Sequence, residues 1–474
     1  MHRNFLLFLL LAGGTALSSA QAQQPSTDDA SASPSHNVPA APVTGGYLMP
    51  EGQEEGVDAN WTSLRPIVPA MVGGYGSSMA FGEEMERSNY VQGGVTVQST
   101  YDDNAYLSPS PVSNYAVSVF PQISLDQSRS RVRWLLNYAG GYTFNEQLTE
   151  RNQTSQDVDF DVQYRVSPHV SVRATEVVTL TTGLFGAVNS LNGSAPGIPQ
   201  GSNSFVLTPL AKDFTTLTRG EIGYQFSATD IVGASGGFSS LQYRDQQPGI
   251  VLLNTQTESG AGFYTHRVTP ANWVGASYTF EHLGYPDTVD NTIVHSVIAF
   301  DTYAVKPTMT LTFFGGPQYS ENRFPTNAIP PQTEQQNMWS AAGGVTFSWQ
   351  APRTSASATF TRRIADGGGV QGSVLLNGVS GSFRRQLTTR WALFLTGGYG
   401  ANDSLTPSAA GSSSTDYASG GINVTRQIAQ NFFFQAGYSR QKQKTTGLSS
   451  FASDAQRNLV IASFSYQFAR PWGQ

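Results

Sequence analysis

Cysteine is absent from the 474 residues. That excludes a disulfide framework, a thiolate metal site and anchoring through a lipidated cysteine. Charge is also scarce: Asp, Glu, Lys and Arg make up 13% of the chain, against about 25% in ordinary soluble domains. Long hydrophobic runs are missing too. Residues 5–12 (FLLFLLLA) form a short apolar run, whereas a bilayer-spanning helix takes about 20 residues, so a helical inner-membrane protein is excluded. A net charge of -6 gives no reason to expect a nucleic-acid partner. Histidine is rare, and no H-E-x-x-H, P-loop or G-x-S-x-G spacing occurs, so no catalytic set and no cofactor is expected.

What is present is glycine (48 residues) and aromatic side chains (11%), spread along the chain. A long chain poor in charge, with dispersed apolar residues, suits strands that face lipid on one side and water on the other. The first residues agree with export. Met1-His2-Arg3-Asn4 is a basic start, residues 5–12 are the apolar region, and Ala20-Gln21-Ala22 is an A-x-A cleavage signal, so residues 1–22 read as a signal peptide. Residues 23–88 are rich in Ser, Pro, Ala and Gln and then acidic. They read as a disordered periplasmic segment with a short ordered piece expected around residues 61–71.

From Tyr90 onward the pattern has a period of two. In residues 158–166, Val158, Phe160, Val162, Tyr164 and Val166 alternate with Asp159, Asp161, Gln163 and Arg165, which places the two sets on opposite faces of a strand. Residues 132–144 and 460–468 repeat the pattern, with aromatics towards the ends of the apolar face, as interfacial girdles require. Short polar turns alternate with long Gly/Ser/Pro/Asn-rich connections such as 183–212, 244–254 and 401–415. This is the rhythm of an up-and-down barrel with tight periplasmic turns and extended extracellular loops. The expectation is an all-β transmembrane barrel over residues 89–474 in the outer membrane, with about 18 strands. Sixteen is the alternative, because the first strand and those at 230–243 and 256–267 are weakly apolar. Glu176 falls by parity on the lipid face, and a β-bulge near Thr175 is expected to turn it inward.

The segment Tyr101–Ser108 (YDDNAYLS), the following Val119, Pro121, Ile123 and Leu125, and the ending YQFARPWG resemble the beta-barrel porin 2 family of outer-membrane barrels. The resemblance covers roughly residues 90–474, with specific motifs at its two ends. It implies a barrel linked with porin activity or polysaccharide export, and names no substrate. One departure is that Phe468 is followed by six further residues, whereas familiar barrels end on Phe. Asp102-Asp103-Asn104 reads as a turn-forming strand end in preference to a calcium site.

By parity Arg131, Arg133, Asp157, Asp159, Asp161, Arg173, Arg219, Glu221, Glu281, His295, Asp301, Arg363 and Arg384 face the lumen. Charges of both signs on that wall can set a transverse field without strong ion selectivity. The expected function is a channel for small hydrophilic solutes or for polysaccharide export. The alternative is a non-conducting structural or adhesive barrel, its lumen blocked by the tail or by the partly apolar loop 183–212. Expected partners are outer-membrane lipid and lipopolysaccharide, and the barrel-assembly machinery through the last strand.

Overall fold

The computed structural model describes residues 88–108, 110–149, 152–182, 203, 205–208, 211–244, 252–288, 290–325, 333–405, 413–447 and 454–471. The expected signal peptide (1–22) and residues 23–87 of the expected periplasmic segment lie outside these.

The strands are β1 (Ser88–Asp102), β2 (Asn114–Ser128), β3 (Val132–Asn145), β4 (Gln153–Ser167), β5 (Val170–Thr182) and β6 (Lys212–Gln225). They continue as β7 (Asp230–Arg244), β8 (Thr255–Thr269), β9 (Asn272–Gly284), β10 (Asn291–Lys306), β11 (Met309–Pro325) and β12 (Thr333–Ala351). The last are β13 (Thr354–Gly367), β14 (Gln371–Gln386), β15 (Trp391–Ser404), β16 (Ser414–Ala429), β17 (Phe432–Thr446) and β18 (Asp454–Pro471). Each pairs antiparallel with its chain neighbours, and β1 also pairs with β18, from Tyr90↔Pro471 to Asp102↔Leu459. The 18-stranded sheet is therefore closed at the β1–β18 seam. The strands at 230–243 and 256–267 are full members of the wall, so the count is 18 and not 16.

Alternation sorts the side chains as a membrane barrel needs. Val95, Val97, Tyr101, Tyr138, Phe160, Tyr164, Ile222, Tyr224, Tyr278, Phe360, Tyr399, Tyr438, Val460 and Phe464 are exposed on the outer face. Thr96, Gln98, Thr100, Ser124, Asp159, Glu221, Ser439, Gln441 and Ser463 are buried on the inner face. An apolar exterior on a closed barrel is solvated by lipid, and an outer-membrane barrel is the form this takes. On the outer face His295 stacks with Tyr278 and Tyr319, and Tyr319 meets Trp339 at 5.0 Å. This is part of an aromatic belt on β9–β12.

Glu176 does not turn inward. The β4–β5 register runs unbroken from Arg165↔Ser171 to Gln156↔Leu180, with Glu176 opposite Phe160. The β5–β6 register is likewise continuous, with Glu176 opposite Thr218. The ladder closes without a bulge at Thr175, so Glu176 stays on the outer face.

One stretch of wall is interrupted. β12 and β13 pair from Ala351↔Thr354 only as far as Gly343↔Arg362. β12 continues outward on β11 to Pro325↔Thr333, and β13 continues on β14. Beyond Arg362 the β13–β14 hairpin bends into the barrel, leaving residues 333–342 as an edge, with Trp339 72% exposed. Ile364 and Leu375, whose parity would face them to lipid, pack instead on the inner-wall residues Leu283 and Val294.

Candidate functional site: the barrel interior

The interior has a charged arc and an apolar arc. The charged arc runs over β2–β6. Asp157, Asp159 and Asp161 are successive inward positions of β4 because strand side chains on one face recur every second residue. Asp161 accepts from Arg173 Nε at 2.7 Å and from Thr175 Oγ1 at 2.8 Å. Asp157 accepts from Thr179 Oγ1 at 2.8 Å, and Asp159 from Asn137 Nδ2 at 3.1 Å. Arg133 pairs with Asp126 at 3.2 Å. Arg219 and Glu221 share this face on β6, opposite Thr175 and Arg173. The wall thus holds its charges by cross-strand pairing, which fixes their positions in the aqueous interior.

Of the other expected lumen residues, Glu281 stands inward on β9, opposite Ser259 and Val294. Arg363 stands inward at the root of the bent hairpin, opposite Leu376, and Arg384 lies on the inner face opposite Ser355. Arg131 is an exposed residue of the β2–β3 turn, where its carbonyl accepts from Arg165 N at 2.8 Å. His295 and Asp301 are on the opposite face from the one expected. His295 Nδ1 is 2.8 Å from Tyr278 Oη in the outer belt, and Asp301 accepts from Asn272 Nδ2 at 2.9 Å. The cause is the inward set of β10, in which Val294, Ile298 and Phe300 are buried. With apolar residues on both faces, the rule that polar means inward fails on this strand.

Those residues belong to the apolar arc. Ile231, Phe263, Trp273, Ile298, Phe300, Phe314 and Ala342 form one buried cluster across the inner face of β7–β12. Its aromatics lie flat because glycines on adjacent strands leave room: Phe263 crosses Gly233, Phe300 crosses Gly275, and Phe314 crosses Gly344. A Cβ at any of these glycines would meet the ring.

Two segments cross the interior. The first is the tip of the β13–β14 hairpin, where Ile364, Ala365 and Asp366 are almost fully buried. Ile364 N donates to Gln318 Oε1 at 3.2 Å, Tyr285 Oη meets Ser373 Oγ at 3.0 Å, and Tyr243 Oη donates to the Gly368 carbonyl at 3.0 Å. Gly368 and Gly369 have φ of 62° and 82°, a conformation glycine adopts without steric cost. The second is the described part of the β5–β6 loop, which reaches the wall on β14–β17. Asn203 Nδ2 donates to Asn402 Oδ1 at 2.6 Å, and Leu207 N donates to Gln443 Oε1 at 2.6 Å. Phe205 packs over Gly378 and Gly400, with its ring 6.4 Å from Tyr417. Val206 and Leu207 of the partly apolar loop 183–212 are inside, while Leu210 lies outside the described residues. Sequence reading missed the docking partners Asn402, Gln443 and Tyr417. The available signal was Gly378 and Gly400, inward glycines aligned on adjacent strands.

Asp102-Asp103-Asn104 closes the barrel seam. Asp102 Oδ2 accepts from Arg457 Nε at 2.9 Å and Nη2 at 2.6 Å, while its Oδ1 accepts from Asn104 N at 3.0 Å. Asp103 accepts from Asn458 N and Nδ2, both at 2.6 Å. Asn104 Nδ2 donates to the carbonyls of Ser108 and Gln456. These carboxylates are engaged by β18 donors, which is the strand-end role and not a cation cage.

No family model matches the chain, and no curated protein matches it. Among solved structures it is similar to Pseudomonas aeruginosa OccK3 (OpdO), with 11% identity, 80% of this chain and 96% of that one covered, and a TM-score of 0.41. It is similar to Acinetobacter baumannii OccAB4 at 9% identity, covering 81% and 99%, with a TM-score of 0.42. It is also similar to P. aeruginosa OpdK, solved with vanillate, at 11% identity, covering 80% and 99%, with a TM-score of 0.41.

Proposed function

We propose that the protein is an outer-membrane channel for passive passage of small hydrophilic solutes, of the general beta-barrel porin kind, and not an enzyme. The supporting observation is the paired charged arc on the inner face of β2–β6 inside a closed barrel. Ionised side chains in a barrel interior imply water there. The expected lumen residues Arg133, Asp157, Asp161, Arg173 and Arg219 then meet the solute, while Asp159 and Glu221 lie buried among them, and the mixed signs favour polar solutes of either charge.

The inward hairpin and the loop segment at Asn203–Leu207 narrow the passage. That favours small solutes over the alternative of polysaccharide export, and leaves the finer assignment to the beta-barrel porin 2 family resting on the end motifs alone. The same two segments also support the second reading, a closed barrel of structural or adhesive role. Contacts with lipopolysaccharide at the aromatic belt and with the assembly machinery through β18 belong to either reading. Swelling of proteoliposomes in graded sugars separates the two. A channel admits small sugars with a sharp size limit; no swelling in any sugar, from protein shown to be folded, sinks the channel.

A further inference from the structure

The apolar arc poses a problem that the channel reading does not absorb. Among the described residues its cluster consists of wall residues, yet Ile298 is 1%, Phe300 5% and Phe263 6% exposed. A ring lying flat on an inner wall beside water would expose one face. Polar atoms on the same patch are hidden as well. Thr265 is 0%, Ser277 5% and Trp273 6% exposed, and Thr265 Oγ1, Ser277 Oγ and Trp273 Nε1 have no hydrogen-bond partner among the described residues. An occupant must shield this face from water, and it should bring apolar side chains together with backbone groups able to meet three buried polar atoms.

We propose that the occupant is a segment of this chain, residues 61–72 (WTSLRPIVPAMV), which lies outside the described residues. Three observations favour it. The patch is in the periplasmic half of the wall, since Ile231 and Trp273 are the second residues of β7 and β9, just past short turns. The segment precedes β1, which starts at that same end. It is also the apolar part of an otherwise polar and acidic stretch, with Trp61, Leu64, Ile67, Val68 and Met71. Reach is sufficient. An 18-stranded wall with strands about 4.8 Å apart and tilted about 40° is roughly 36 Å across. Residues 73–87, when extended, span about 50 Å. Pro66 and Pro69 disfavour a continuous helix or ladder and leave carbonyls free to accept from Trp273 Nε1.

The chain has no cysteine, so paired cysteines in the full-length protein in outer membranes test this cleanly. Ile67→Cys is combined with Ser277→Cys on the inner face, or with Ala276→Cys on the outer face as the control. Thr265→Cys serves as a second inner position in case Ser277→Cys fails to fold. Oxidation is expected to trap the disulfide with Ser277→Cys or Thr265→Cys and not with Ala276→Cys. In a chain lacking residues 61–72, Ser277→Cys is expected to react freely with a small water-soluble maleimide, after being protected in the full chain. The proposal is overturned if neither inner cysteine is trapped, or if Ser277→Cys stays protected after the deletion, which would assign the cover to a loop. Trapping is independent of conduction, so its failure and the failure of the channel reading are separable.

Discussion

Asp102→Asn should loosen the barrel at its seam, by an amount that burial decides. The Asp102 and Arg457 side chains are 1% and 4% exposed and meet through two hydrogen bonds of 2.9 and 2.6 Å. The substitution keeps the shape but leaves the Arg457 guanidinium buried without its counter-charge. Removing one partner of a buried pair costs about 3–5 kcal/mol, which is between two and four orders of magnitude in the unfolding equilibrium. Lys442 and Asp454 on the neighbouring β17–β18 pair supply the contrast. They are 3.5 Å apart and more than half exposed, so Asp454→Asn should cost less than about 1 kcal/mol. Replacing both seam partners by apolar residues, Asp102→Leu with Arg457→Met, should recover much of the loss, because no orphaned charge remains. Reversible urea unfolding in lipid vesicles, followed by tryptophan fluorescence, reads these three variants together with the singles Asp102→Leu and Arg457→Met. The reasoning is refuted if Asp102→Asn falls within about 1 kcal/mol of the parent, or if the double variant is as unstable as the sum of the singles.

Further outcomes follow from other parts of the wall. Gly275→Val places side-chain atoms where the Phe300 ring and the Tyr264 carbonyl already lie. It should cost about 1–3 kcal/mol through overpacking, and the same unfolding assay shows the idea wrong if stability is unchanged. Glu176→Leu should stabilise the barrel by about 1–2 kcal/mol, since a carboxylate on the lipid face carries a depth-dependent cost. Destabilisation would instead mean that Glu176 has a partner in the membrane. Replacing residues 364–374 with a short turn should raise single-channel conductance, because the hairpin tip crosses the interior. Unchanged conductance would remove the hairpin from the solute path.

The strands were legible because lipid outside and water inside impose a period of two wherever the inner wall is polar, as on β3–β6. That legibility fails on β10, where Ile298 and Phe300 point inward and carry the apolar pattern with them. His295 was misplaced as a result, although its neighbours Tyr278 and Phe280 belong to the belt. The bent hairpin was equally hidden. Ile364 and Leu375 have lipid-facing parity and find an apolar surface all the same, but it is the inner-wall pair Leu283 and Val294 on β9 and β10. A hint was present in Gly367-Gly368-Gly369, a tight connection at an end of the barrel where the other connections are long. The seam lock joins residues 355 apart in the chain, and local pattern carries no information at that separation.

Single-channel recording of the folded protein in a planar bilayer, with and without residues 61–72, tests the central claim most directly. The account predicts stable conductance steps, larger in the shortened chain, with a solute-size limit set by the hairpin and the Asn203–Leu207 segment. Silence from both proteins, each shown to be folded, would contradict a channel and leave a closed barrel.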